Sequence, residues 1–347
     1  MVYYSRVAIR WCLTLGVLAL APLLGNALSS SAVVGTKASS TIVKNFDFST
    51  DEPLPWIEEG YNTWKWKGND INYIEMGDES KPALLLIHGF GASSYHWRFN
   101  LPELAKDYHV FAFCKLGFGL SSKPVQDYTA DVWRDQTIDF LNEVIGKPTT
   151  VAGNSIGGFT ALYTAASDEA KSLVNGCVLL NAAGKFRDPE IPEEPEEEKN
   201  EFVENIKGFF QRLVIRASFE YTKQPMRIAQ ILRQVYPSNA ENVDDELVES
   251  IRYPSLDPNA PEVFYRVITK GGQKTKYVDD LLANVECPLL LCWGEEDPWI
   301  RPAAADKIQA LYPKSQRASI DAGHCPHDEN PEAVNKAIRD FIATSVV

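Results

Sequence analysis

Residues 149–166 read TTVAGNSIGGFTALYTAA. The opening TTVA is a short run of strand-favouring residues. It passes directly into Gly153-Asn154-Ser155-Ile156-Gly157 and then into a helix-forming segment. A G-x-S-x-G sequence gains meaning from this setting, because a serine on a sharp turn between a strand and a helix is held out in a strained conformation. Glycines two residues to either side let the two elements approach without Cβ clashes. Ser155 is therefore expected at the carboxyl edge of a sheet, where open α/β sheets bind ligands, with the positive end of the following helix directed at it. Ser155 is the candidate nucleophile.

The flanking sequence repeats the buried-strand pattern. ALLLI at 83–87 is bounded by turn residues and is too short for a helix, and similar runs recur at 110–113, 177–180 and 289–293. Two earlier runs, 63–66 and 71–75, are separated by Gly-Asn-Asp and predict a hairpin. An apolar stripe of Val132, Ile138, Leu141, Val144 and Ile145 predicts a helix over 131–145. Such alternation implies an α/β fold, with a mostly parallel central sheet covered by helices on both faces. The pattern lapses over 185–282, where helical stripes and prolines occur without a buried-strand run. An inserted helical cap is expected there, between a first core part, 47–184, and a second, 283–347. Its beginning, residues 188–204, holds nine acids, one base and three prolines, the composition of a solvated linker.

A serine needs a base, and histidine titrates in the useful range. The elbow resembles that of α/β hydrolases, and the resemblance implies that the acid and then the base follow it in the chain. Of five histidines, only His324 and His327 follow the last core strand. His324, after a strand-like segment at 317–320, is placed to swing over Ser155. His327 and its neighbours Cys325 and Asp328 have the residue types of a metal site, but no second ligand cluster accompanies them and Pro326 disfavours one helical face. Three carboxylates after the 289–293 strand, Glu295, Glu296 and Asp297, compete to orient the imidazole. Asp297 is preferred because Gly294-Glu295-Glu296-Asp297-Pro298-Trp299-Ile300-Arg301-Pro302 resembles the acid-bearing loop of α/β hydrolases, and Asn181, at the alternative acid position, cannot supply the charge. Preformed backbone donors best stabilise the charge that develops on a substrate oxygen. The amides of Ile156, next after the nucleophile, and of Phe90, in His88-Gly89-Phe90-Gly91, are the candidate oxyanion hole. His88 is expected to brace that loop, and the chemistry requires no metal or organic cofactor.

From residue 64 to residue 341 the chain resembles the α/β-hydrolase superfamily. It is more closely similar to a plant and algal group that includes pheophytinases and chlorophyll dephytylases. The likeness is carried by HGFGASSYHWR at 88–98, LGFGLSSKP at 116–124, GNSIGGFTAL at 153–162, WGEEDPWIRP at 293–302 and AGHCPHDENPEAVNKA at 322–337. It implies a Ser155, Asp297, His324 triad that cleaves a carboxylic ester through an acyl-serine, with the phytyl ester of a chlorophyll derivative as one substrate. Cys114-Lys115 departs from the group, which commonly has an acid there. Perhydrolases, carbon-carbon bond hydrolases and hydrolase-fold receptors for small molecules share the triad and stay open. Dehalogenases and epoxide hydrolases resemble the chain less, having an aspartate where Ser155 stands.

The 347 residues carry 34 bases against 47 acids, a net charge of −13, which argues against a nucleic-acid partner. A hydrophobic ester substrate and peripheral membrane association fit the resemblance better. The charge is unevenly placed. The first 46 residues hold four bases (Arg6, Arg10, Lys37, Lys44) and no acid. There, two arginines precede an apolar run at 11–24, shorter than the ~20 residues a membrane span needs, and a Ser/Thr-rich stretch follows. A signal-like segment followed by a transit-like one resembles the bipartite leader of plastid proteins in algae with secondary plastids. Secretion, or retention of the run as a membrane anchor in the endomembrane system, is the alternative. Six scattered cysteines without C-x-x-C pairs are expected to be free thiols.

Overall fold

The computed structural model describes residues 61–187, 201–271 and 276–346, without the side chains of 201–210 and 270. The expected leader, 1–46, and most of the acidic stretch lie outside the described residues. Eight strands form one sheet in the order β1-β2-β4-β3-β5-β6-β7-β8. They are β1 (Tyr61–Trp66), β2 (Asn69–Met76), β3 (Ala83–Ile87), β4 (His109–Phe113), β5 (Thr149–Asn154), β6 (Val174–Leu180), β7 (Leu289–Gly294) and β8 (Gln316–Ile320). β1 and β2 are antiparallel additions at one edge, and every pair from β4 to β8 is parallel. The first hairpin turns one residue earlier than the expected Gly-Asn-Asp. Lys67 and Gly68 form a two-residue turn at φ 46° and 81°, leaving Asn69 and Asp70 paired within β2. Positive φ at both central residues matches the twist of the flanking strands.

Side-chain alternation along the central strands builds two cores. Leu85 and Ile87 of β3, Phe111 and Phe113 of β4 and Val151 of β5 face one side. There they meet Trp133 and Ile138 of α1 (Ala130–Phe140) and Phe159 and Leu162 of α2 (Ile156–Ala165). Leu84, Leu86, Val110, Ala112 and Ala152 face the other side. At the chain's end, a helix (Pro331–Ser345) covers that side with Val334, Ile338 and Phe341. The chain beyond α1 runs on as a wider helical turn, Leu141–Ile145, so the expected 131–145 helix is present with a change of pitch.

Between β6 and β7 the described residues form the helices α3 (Glu201–Thr222), α4 (Pro225–Val235), α5 (Asp245–Arg252), α6 (Ala260–Lys270) and α7 (Val278–Leu282), joined by short 3₁₀ turns and irregular segments. The two ends of this insertion meet, Val278 N donating to Lys185 O at 2.7 Å. A third apolar cluster joins Ile228, Leu232, Val235, Tyr236, Leu247 and Val248 of the insertion to Tyr95 and Cys325 of the core. No helix among the described residues is long and apolar enough to cross a membrane.

Candidate active site

β5 ends at Asn154 and α2 starts at Ile156, which leaves Ser155 alone to make the turn, at φ 55° and ψ −121°. A non-glycine residue holds such a conformation only when its surroundings over-determine it. Ser155 N donates to Leu180 O at 3.0 Å, and Ser155 O accepts from Phe159 N and Ala183 N at 3.1 and 2.9 Å. The flanking glycines are required by contact. A Cβ on Gly153 would stand 2.2 Å from Gly157 O, and one on Gly157 would stand 2.2 Å from Ile87 O. Although Ser155 occupies the helix N-cap position, its side chain does not cap the helix, so Oγ is left for other chemistry.

Asp297 follows β7 and His324 follows β8, so the two strands deliver the candidate acid and base to one place. His324 Nδ1 lies 2.7 Å from Asp297 Oδ2, and both side chains are buried. The same Oδ2 accepts from Asn181 Nδ2 at 2.7 Å, while Oδ1 accepts from the amides of Trp299 and Ile300 at 2.7 and 3.0 Å. Four donors on one carboxylate fix its orientation. A proton held on Nδ1 by that carboxylate leaves Nε2 with the lone pair, the form a general base requires. Glu295 and Glu296 are exposed, and Glu295 pairs with Arg317 at 3.2 Å. Of the three competing carboxylates, Asp297 is the one at His324. The base and the elbow are tied through the backbone, since Asn154 Nδ2 donates to His324 O at 2.8 Å and to Leu180 O at 3.2 Å.

The loop after β3 closes the other side. A Cβ on Gly89 would lie 3.4 Å from Ser155 Cβ, so this backbone rests against the elbow. The Phe90 amide makes no hydrogen bond among the described residues, and the Ile156 amide opens a helix, where the first N–H groups lack intrahelical acceptors. Half-buried Phe90 packs against Phe118 and Phe264, each with ring centroids 5.7 Å away, and Phe264 meets Phe219 at 5.1 Å. An aromatic wall therefore runs from the loop after β3 into the insertion. Lys115 is fully buried nearby, its Nζ over the rings of Phe118 and Trp133 with no hydrogen-bond partner among the described residues. Burial pushes this amine well below the ordinary lysine value.

Behind His324, the HCPHDE segment joins core to insertion. Glu329 accepts from Gly323 N at 2.6 Å and from the amides of Ser238 and Asn239 at 2.6 and 3.0 Å. Arg98 forks onto Asp328 through Nε and Nη2, both at 3.1 Å. It also reaches Asp244 at 2.7 Å and Asn242 O at 2.7 Å. Burial pushes Asp328 up to about 7 against the pull of Arg98. His327 packs tilted against Trp97 at 4.1 Å and edge-on against His96 at 4.6 Å, turned to packing rather than converging with His324 on one ligand. Burial pushes His96 down to about 3, and its Nε2 contacts Tyr236 Oη at 2.7 Å. Among the described residues, no group of three His, Cys, Asp or Glu side chains is placed to hold a metal ion. Cys114, Cys177, Cys287, Cys292 and Cys325 are free. Sequence reasoning missed the roles of Asn181, Arg98 and Glu329. The only local signal was an asparagine directly after β6, where it adopts φ 41°.

Residues 84–337 match the alpha/beta hydrolase family. The chain belongs to that family. It is 32% identical to chloroplastic pheophytinase of Arabidopsis thaliana, over 89% of this chain and 71% of that protein. Epoxide hydrolase 3 of Xenopus tropicalis is 28% identical over 82% of this chain and 78% of its own. Among solved structures, a membrane phospholipase A described as a bacterial virulence factor superposes with a TM-score of 0.62. It is 27% identical and covers 84% of this chain and 87% of its own. The protein is thus an α/β hydrolase that resembles pheophytinase.

Proposed function

We propose that this α/β hydrolase cleaves a carboxylic ester through an acyl-serine on Ser155. The observation that carries the reading is the buried His324–Asp297 pair at 2.7 Å, tied by Asn154 to the elbow that bears Ser155. Ser155 Oγ attacks the ester carbonyl as His324 Nε2 takes its proton. The oxygen of the tetrahedral adduct is held by the amides of Phe90 and Ile156. Collapse expels the alcohol, which takes the proton back from His324. Water, deprotonated by the same nitrogen, then releases the acid. Asp297 keeps the ring in the required tautomer and stabilises the imidazolium.

Residues 185–282 act as a cap over this site, and the wall of Phe90, Phe264 and Phe219 suits a large apolar substrate. Together with the likeness to pheophytinase, this favours the phytyl ester of a chlorophyll derivative and a plastid location through residues 1–46. Incubation with pheophytin, chlorophyll and short acyl esters tests the substrate. Phytol release supports the assignment, and cleavage of short esters alone removes the pigment from it. A fluorescent reporter fused behind residues 1–46 should enter the plastid, and its secretion into the medium would contradict the location.

A further inference from the structure

We propose that His88 is a positioning residue, holding the Gly89 carbonyl so that the Phe90 amide points at the substrate oxygen. This rests on Phe90 serving as an oxyanion donor. The Gly89 carbonyl and the Phe90 N–H belong to one planar trans peptide unit, so their bonds point in opposite directions and fixing one aims the other. His88 Nδ1 lies 2.7 Å from Gly89 O, and its Nε2 lies 3.0 Å from Lys115 N. A backbone carbonyl only accepts and a backbone amide only donates. Nδ1 therefore carries the proton and Nε2 is bare. The ring is fully buried, and burial together with the nearby Lys115 amine holds its proton affinity well below the ordinary histidine value, so it stays neutral.

The loop needs such a restraint. Phe90 stands between two glycines, and Gly91 lies at φ 71°, so the peptide units here have unusual rotational freedom. On its far side the loop is confined by the elbow, where a Cβ on Gly89 would stand 3.0 Å from Asn154 Oδ1. His88 supplies the remaining grip. The ring of Phe118, 5.8 Å away at its edge, fills the space beside it and also supports Phe90.

Two substitutions separate the two hydrogen bonds of His88. His88→Asn keeps an N–H where Nδ1 stands but cannot reach Lys115 N. His88→Gln reaches Lys115 N as an acceptor but leaves Gly89 O without a donor. Losing a whole oxyanion donor costs about 10²–10³ in kcat, so loss of its orientation should cost about tenfold to 10²-fold. In the full chain, with a short acyl ester, His88→Gln should lose that much in kcat while KM changes little, and His88→Asn should recover most of the loss. Fluorophosphonate labelling counts the folded sites in each preparation. Should His88→Gln not fold, His88→Phe, which keeps a ring in the slot, carries the same expectation. Unchanged kcat in the Gln or Phe variant, or equal losses in the Asn and Gln variants, would overturn the proposal. Absence of labelling in the wild-type protein would instead overturn the serine mechanism on which it rests.

Discussion

Replacing Arg98 by methionine removes the cation that links the core, the histidine segment and the insertion. Its guanidinium makes two 3.1 Å bonds to Asp328, whose side chain is 0% exposed, while the Asp244 side chain is 42% exposed. The Asp244 half is therefore screened and contributes little, whereas the Asp328 half leaves a buried carboxylate without its partner. Breaking such a pair costs about 3–5 kcal/mol, which for a protein of this size lowers Tm by roughly 10 °C. The loss should depend on pH. Burial already holds Asp328 at about 7, above its ordinary value of 3.8. A carboxyl whose folded value is raised favours the fold while protonated, and that contribution is lost as pH rises through the folded value. R98M should consequently be harmed less at pH 5 than at pH 8.5. Differential scanning fluorimetry at both pH values measures this, and R98M/D328N should recover part of the shift. A Tm change below 2 °C at pH 8.5, or a double variant no better than the single one, would refute the reasoning.

Asp297→Asn should lower turnover by about 10⁴, because the amide presents the wrong partner to His324 Nδ1, whereas Glu295→Gln should turn over normally; steady-state kinetics on a short ester compares them. His96, held at about 3 against an ordinary 6.5, contributes stability that is complete above pH 6.5 and is lost as pH falls toward 3. His96→Gln should flatten the stability profile across that window in urea titrations. Phe264→Ala opens the aromatic wall beside Phe90 and should raise KM for a bulky apolar ester several-fold more than for an acetyl ester.

Local pattern carried the fold a long way. β3 lies at Ala83–Ile87, where an unbroken apolar run between turn residues marked it, and both ends of that strand matched. Strand ends slipped where pairing continued through residues that are not apolar. Gly153 and Asn154 extend β5 because they face Leu179 and Leu180, and Asn175 and Gly176 sit within β6 before its apolar run begins. The elbow was legible because strand, serine and helix are contiguous. Asn181 was not. Its place after β6 reads from sequence only as an acid position without a charge, yet its side chain donates to Asp297, 116 residues further on. The clamp of Arg98 on Asp328 and Asp244 spans 230 and 146 residues, separations that no local spacing encodes. The insertion's helices pack on one another and on the core through apolar stripes, which predict helices without saying which faces meet.

The proposed mechanism begins with Ser155 as the nucleophile. Intact-mass and peptide analysis of the protein after treatment with a fluorophosphonate tests it most directly. One equivalent should be added, on the peptide containing Ser155, and Ser155→Ala should take up none. Undiminished labelling of Ser155→Ala, with the adduct on another residue, would contradict it.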